Sequence, residues 1–182
     1  RTNIDTLRNQ TSPAPEERQY TEEQLRWLKQ ISGLSAVSGP GITIVLDDNR
    51  SGAEAAKQKP DYNPENFIIH DKNILYLVNE LWGAGAEAIA VNDQRVVLGS
   101  EIRCVGPLIL VNSSPLAPPY VIKAIGNPES LERAIMSGVE YPYLRYKEFP
   151  VSLSKQQDLV LPPFRGSFRS ALIARNEGRN TQ

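Results

Sequence analysis

Between Ile74 and Arg95 an amphipathic helix, a glycine-rich stop and a buried strand follow one another with almost no spacer. Ile74, Leu75, Leu77, Val78, Leu81 and Trp82 recur at helical spacing and predict a wide apolar stripe packed on a sheet, with Asp71 as its N-cap. Gly83 and Gly85 stop the helix, because glycine takes the left-handed C-terminal conformation without steric cost. Ala88 to Val91 then reads as a strand, and Asn92 and Asp93 turn the chain into a second strand over Arg95 to Leu98. A chain that alternates in this way has to bury a helix face against a sheet.

The flanking segments extend the pattern. Residues 1 to 20 are polar, with Ile4 and Leu7 as a short helical pair and prolines at 13 and 15, and read as a poorly ordered linker or the end of a longer upstream helix. Thr21 and Gln24 have capping-box spacing, and Leu25, Leu28, Ile31 and Leu34 follow as one short helix ending near Gly33. Ile42 to Leu46 reads as a strand ending in Asp47 and Asp48. The polar stretch from Asn49 to about Ile69 shows little periodicity and is expected to be a mobile loop. Leu108 to Val111 and Tyr120 to Ile125 are expected to pair with each other across a loop rich in serine and proline. Asn127 caps a helix with Pro128 at its first position, Leu131, Ala134 and Ile135 facing inward and Gly138 stopping it. Val151 and Leu153 open a last strand that Leu159 to Leu161 can continue. The fold class is therefore α+β: a ferredoxin-like split βαβ sheet over 39–162 with both helices on one face, extra strands inserted in the middle and an N-terminal helix. Residues 163–182, rich in arginine, are expected to be a disordered tail.

Composition removes several function classes. The chain has 182 residues, 40% hydrophobic and 23% charged, the balance of one globular domain with extensions. A net charge of -1 gives no general electrostatic reason to bind nucleic acid or an anionic membrane. Cys104 stands alone, so neither an intrachain disulfide nor a cysteine-based metal site is expected, and a small buried thiol is the reading adopted. Val105 to Ile122 is uncharged, but its prolines and its Asn-Ser-Ser turn rule out a membrane span. The first residue is Arg1, which suggests that a natural N-terminus, and any anchor with it, has been removed.

Candidate chemistry is sparse. Asp47, Asn49 and Ser51, at positions 1, 3 and 5, with Gly52 at 6, imitate the start of a calcium loop, but its twelfth position is Gln58, which supplies no bidentate carboxylate. Asp47, Asp48 and Asp93 lie where ferredoxin-like nucleotidyl transferases and cyclases hold two divalent ions, which makes a metal-dependent nucleotide-binding or phosphoryl-transfer domain the alternative reading. No basic cluster or glycine loop for a triphosphate accompanies them, and aspartate in a tight turn has a local explanation. His70, the single histidine, is placed beside a helix start, where a cap-adjacent role outweighs proton transfer. Arg95 and Arg103, with Glu101 between them, fit an internal ion pair better than an anion site.

The motifs from Asn79 to Arg95, Ile102 to Gly106, Pro118 with Pro119, and Ala124 to Pro128 carry a resemblance. Over roughly Gly39 to Pro162 the chain resembles a bacterial envelope family typified by the YlxW and YlxX proteins, a domain of unknown function. That resemblance implies a cytoplasmic N-terminus, one membrane helix, a coiled coil and then this domain on the extracytoplasmic side, often encoded near cell-division genes. Residues 1–34 are then the end of the stalk. It transfers no catalytic residue; Asn92, Gln94, Arg95, Arg103, Pro118 and Pro119 match the recurring pattern and are the candidate binding residues. The hydrophilic insertion from Asn49 to Asn66 departs from the family. The expected function is non-enzymatic, without cofactor or metal: a membrane-tethered domain that binds an envelope protein or itself, linked to cell division or envelope assembly, with no nucleic-acid partner.

Overall fold

The structure, a computed structural model, describes residues 15–167. Among these residues it is an α+β fold with two antiparallel sheets and five α-helices. The helices are α1 (Pro15–Ile31), α2 (Arg50–Ala56), α3 (Asp71–Gly83), α4 (Pro128–Ser137) and α5 (Glu140–Tyr146). The strands are β1 (Val37–Leu46), β2 (Ala88–Val91), β3 (Gln94–Val96), β4 (Ile102–Val105), β5 (Leu108–Val111), β6 (Ser114–Leu116), β7 (Tyr120–Ile125) and β8 (Val151–Leu161). The main sheet has the order β3-β2-β7-β1-β8 and the smaller one β4-β5-β6.

Alternation along β1 decides which face is covered. Ile42, Ile44 and Leu46 are fully buried, and their partners across the ladder are Ala124, Ile122 and Tyr120 of β7. Ile89 and Val91 of β2 stand opposite the same β7 residues. On this apolar floor lie Ile74, Leu77, Val78 and Leu81 of α3, Leu131 and Ile135 of α4, and Tyr141 and Leu144 of α5. Helix side chains at i, i+3, i+4 and i+7 share one face, so α3 needs no more than this stripe. Leu75 and Trp82, expected within the stripe, are 37% and 40% exposed, and the buried face is narrower than the sequence suggests. The opposite sheet face holds a small second cluster of Ala88, Ala90, Ile125, Leu159 and Leu161.

The three-stranded sheet is inserted between β3 and β7 and joins the main core through Ile109 and Val111. Asn112 (φ 52) and Ser113 (φ 64) turn β5 into β6, both left-handed as a two-residue type I′ hairpin demands. Leu108–Val111 therefore pairs with β4 and β6, and Tyr120–Ile125 pairs with β1 and β2; the expected pairing of these two runs with each other does not occur. β8 is one continuous strand along β1, with an irregularity between Gly39 and Gly41. A Cβ on Gly41 would lie 1.9 Å from the Ala124 carbonyl oxygen, so only glycine admits the close approach of β7 there.

Three other expectations are corrected. Helix α1 starts at Pro15, where a missing N–H costs nothing, and Thr21 lies inside it, not at its cap. The segment from Asn49 to Ile69 is folded: Asn49 caps α2 by accepting from the Gly52 amide, a 3-10 turn spans Pro64–Phe67, and the Asn49 amide donates to the Phe67 carbonyl at 2.8 Å. The N-cap of α3 is His70, whose amide donates to Asn73 Oδ1 at 2.7 Å, with Asp71 one position inside. The expectations for residues 1–14, and for the tail beyond residue 167, lie outside the described residues. No described helix is long and apolar enough to cross a membrane.

Candidate functional site

A groove of about 850 Å³ lies between the end of α1, the last turn of α3 and the β2–β3 hairpin. Local chemistry builds it. Helix α1 ends in a left-handed Gly33 (φ 77), after which the Leu34 amide donates back to the Lys29 carbonyl at 2.8 Å. Because Gly33 has no side chain, the chain presses on the hairpin: a Cβ there would lie 2.5 Å from Val97 Cγ1 and 3.4 Å from Arg95 Cγ. Leu25, Leu28, Ile31 and Leu34 form one wall, Trp82 and Leu98 the other. Leu98 is 95% exposed at the rim.

Arg95 lies at the base of this groove and is 3% exposed. It stands opposite Ala90 in the β2–β3 ladder, and the alanine leaves room for the long side chain. Its Nη1 donates to the Ser35 carbonyl at 3.5 Å and the Pro162 carbonyl at 3.4 Å, both long for hydrogen bonds. Among the described residues it has no carboxylate partner, and its Nε and Nη2 make no hydrogen bond. Burial holds its guanidinium below the usual arginine range. The Ser35 hydroxyl is buried beside it without a partner, and the Phe164 amide closes the seam by donating to the Gly33 carbonyl at 2.7 Å.

The other expected binding residues scatter. Asn92 (φ 50) turns the β2–β3 hairpin and accepts the Val121 amide on Oδ1 at 2.8 Å, a structural task. Gln94 opens β3 and is half-buried. Arg103 pairs with Glu101 at 3.5 Å on the small sheet, so the expected ion pair forms there and leaves Arg95 out. Pro118 and Pro119, joined by a cis peptide bond, lead into β7. Of the six, Arg95 alone lines the groove.

The acidic residues serve the backbone. Asp47 Oδ1 accepts the Asp48 amide at 2.8 Å, and Asp48 Oδ1 accepts the Ile69 amide at 2.9 Å, while Asp93 is exposed in the hairpin turn. Burial, with Asp48 next in weight, pushes the nearby Tyr120 phenol up to about 12. No group of three or more His, Cys, Asp or Glu side chains among the described residues is arranged to hold a metal ion. Cys104 is exposed, not buried as expected: its amide donates to Asp71 Oδ2 at 2.7 Å and its sulfur accepts the Asp71 amide at 3.3 Å, which pins β4 to the start of α3 at the surface.

A second cavity, about 510 Å³, lies between the Pro64–Phe67 turn and α5, lined by His70, Lys72, Asn73, Tyr143, Lys147 and Phe149. His70 Nε2 is 2.9 Å from the Glu65 carbonyl, and the Lys147 ammonium lies 6.0 Å from the Tyr143 ring centre. Sequence reasoning missed Gly33, Trp82 and Leu98 as groove residues; an exposed leucine just after the hairpin is the one local signal.

A sheet covered on one face by helices, with an apolar groove at one edge, defines a small α+β domain. The family model described as "Bacterial protein of unknown function (DUF881)" matches residues 24–173, and the chain belongs to that family. It is similar to the UPF0749 protein YlxW of Bacillus subtilis, with 31% identity over 132 residues, 72% of this chain and 54% of that protein. It is also similar to the UPF0749 protein Rv1823 of Mycobacterium tuberculosis, with 29% identity over 96% of this chain and 58% of that protein. The chain thus spans about half the length of the relatives it matches. The crystal structure of an uncharacterized conserved protein from Mycobacterium tuberculosis shares the fold, with a TM-score of 0.65 and 24% identity over 84% of this chain and 99% of that one.

Proposed function

We propose that this chain is a non-enzymatic, extracytoplasmic interaction domain carried on a membrane tether, and that α1 is the surface it offers to an envelope protein or to a second copy. One observation carries the reading. Every described side chain of α1 from Gln19 to Ile31 is exposed, although Tyr20, Leu25, Trp27, Leu28 and Ile31 give the helix a broad apolar side, 51% to 63% exposed. An isolated helix of this length is marginal in water, and most helices are stabilised by packing an apolar face. A partner that covers this side supplies that packing. A role in cell division or envelope assembly fits such a tethered scaffold. The strand order β8-β1-β7-β2, antiparallel throughout, supports a ferredoxin-like split βαβ core to which β3 and the small sheet are added.

Light scattering and cross-linking of the full-length protein test the reading, with Trp27→Glu and Leu28→Glu as disrupting variants. Association that both variants abolish is the expected result. A strictly monomeric protein with no envelope partner ends it. The alternative, a divalent-metal-dependent nucleotide or phosphoryl-transfer domain using Asp47, Asp48 and Asp93, is separated by thermal melting with magnesium, manganese and nucleotides. A ligand at a hundred times its dissociation constant adds about 2.7 kcal/mol of stability.

A further inference from the structure

We infer that the groove above Arg95 binds a single-chain amphiphile, with its carboxylate on the Arg95 guanidinium and its hydrocarbon tail along Leu28, Ile31, Leu34 and Leu98. This deepens the reading of α1 and shares Leu28 and Ile31 with it; what it adds is Arg95 beneath them, which the docking of a partner on the helix does not require.

The charge comes first. An arginine that is 3% exposed as a residue and has no carboxylate partner among the described residues is costly, since a buried charge is normally paired. Its Nη1 is occupied by two carbonyls at 3.4 and 3.5 Å, whereas Nε and Nη2 make no hydrogen bond among the described residues. Those two groups form the edge of the guanidinium that pairs side-on with both oxygens of a carboxylate. The charged side chains facing the groove are Lys29, Arg95 and Glu87, two cations against one carboxylate, and Glu87 pairs with neither.

The walls select the rest of the ligand. A volume of about 850 Å³ lies within the range of small-molecule sites. A polypeptide laid there would bring an N–H and a C=O at every residue, and a lining of leucines, isoleucine, valines and tryptophan offers few partners for them. A hydrocarbon tail carries no such groups, so an acyl chain fits the apolar part of the lining.

The test uses dodecanoate below its micellar concentration, followed by calorimetry and by the fluorescence of Trp82 in a Trp27→Phe background, with dodecan-1-ol, butyrate and dodecyltrimethylammonium as comparators. Dodecanoate is expected to bind one to one and at least ten-fold more tightly than dodecan-1-ol, with no measurable binding of the other two. Arg95→Gln should make dodecanoate and dodecan-1-ol equal. Should Arg95→Gln fail to fold, Leu28→Glu, at a half-exposed wall position, should weaken dodecanoate at least ten-fold while leaving the circular dichroism unchanged. Equal affinity for dodecanoate and dodecan-1-ol in the unmodified protein, or a folded variant of either kind that binds dodecanoate as before, overturns the inference.

Discussion

The side-chain amide of Asn73 donates to the Glu140 carboxylate at 2.6 Å, joining the first turn of α3 to the start of α5 in a site where Glu140 is 4% exposed. Burial pushes the Glu140 carboxyl up, the Asn73 hydrogen bond works against that shift, and the nearby Glu80 charge adds to it. The folded protein therefore holds a proton that the unfolded chain releases at lower pH. Glu140 lowers stability as pH rises from the ordinary glutamate range through its raised value, and the penalty is absent below that range. Glu140→Gln keeps an acceptor for Asn73 and removes the charge. It should raise the melting temperature at pH 7, and the gain should vanish near pH 4. A gain that is independent of pH would contradict this account.

Asn49 is 4% exposed and uses both ends of its amide: Oδ1 accepts from the Gly52 amide at 2.8 Å and the Ser51 hydroxyl at 3.2 Å, and Nδ2 donates to the Lys147 carbonyl at 3.3 Å. Loss of an N-cap costs about 1 to 2 kcal/mol, and here the cap also holds α2 to the end of α5. Urea titration of Asn49→Ala should show a loss at the upper end of that range. Asn49→Asp should keep the cap and lose the Lys147 contact, falling between the two.

Gly41 and Gly83 make a matched pair for substitution. A Cβ on Gly41 would lie 1.9 Å from the Ala124 carbonyl oxygen, whereas one on Gly83 meets nothing within 4 Å. Gly41→Ala should lose about 3 kcal/mol, the upper end of overpacking costs, or fail to accumulate as folded protein. Gly83→Ala, at the last position of α3, should be neutral or gain up to about 1 kcal/mol. Thermal melts of the two side by side check both signs.

Burial pushes the Cys104 thiol above its ordinary range, and the Asp71 charge beside it adds to the shift despite the Asp71 amide bonded to the sulfur. The thiolate is the species that reacts, so iodoacetamide should modify Cys104 more slowly at pH 8 than an unhindered cysteine peptide. Asp71→Asn removes the opposing charge. It should shift the pH profile of alkylation downward and speed the reaction at pH 8; an unchanged profile would rule out the charge as a cause.

Short-range patterns carried much of the fold. Ala88–Val91 and Tyr120–Ile125 are strands as their apolar runs suggest, and Asn127 with Pro128 begins α4, the Ser130 amide bonded to Asn127 Oδ1 at 2.9 Å. Other elements depend on distant partners. Helix α2 has a single buried residue, Ala56, and its cap Asn49 bonds a carbonyl 98 residues away, which no periodicity reveals. Helix α5 was not expected at all; its Pro142 lies in the first turn, where a proline removes no helical hydrogen bond. The groove was illegible for a related reason. Arg95 meets Ser35 and Pro162 across 60 and 67 residues, and its expected partner Glu101 is taken by Arg103.

The pairing of Val37 with Leu161 puts the entrance and exit of the β-domain side by side on two antiparallel strands. Tension applied through the two flanks would peel β1 from β8 one rung at a time from that end instead of shearing all their rungs together. The domain is therefore mechanically compliant along its own chain, and a load passing through it would first release β8 and, with it, the Pro162 carbonyl that Arg95 contacts.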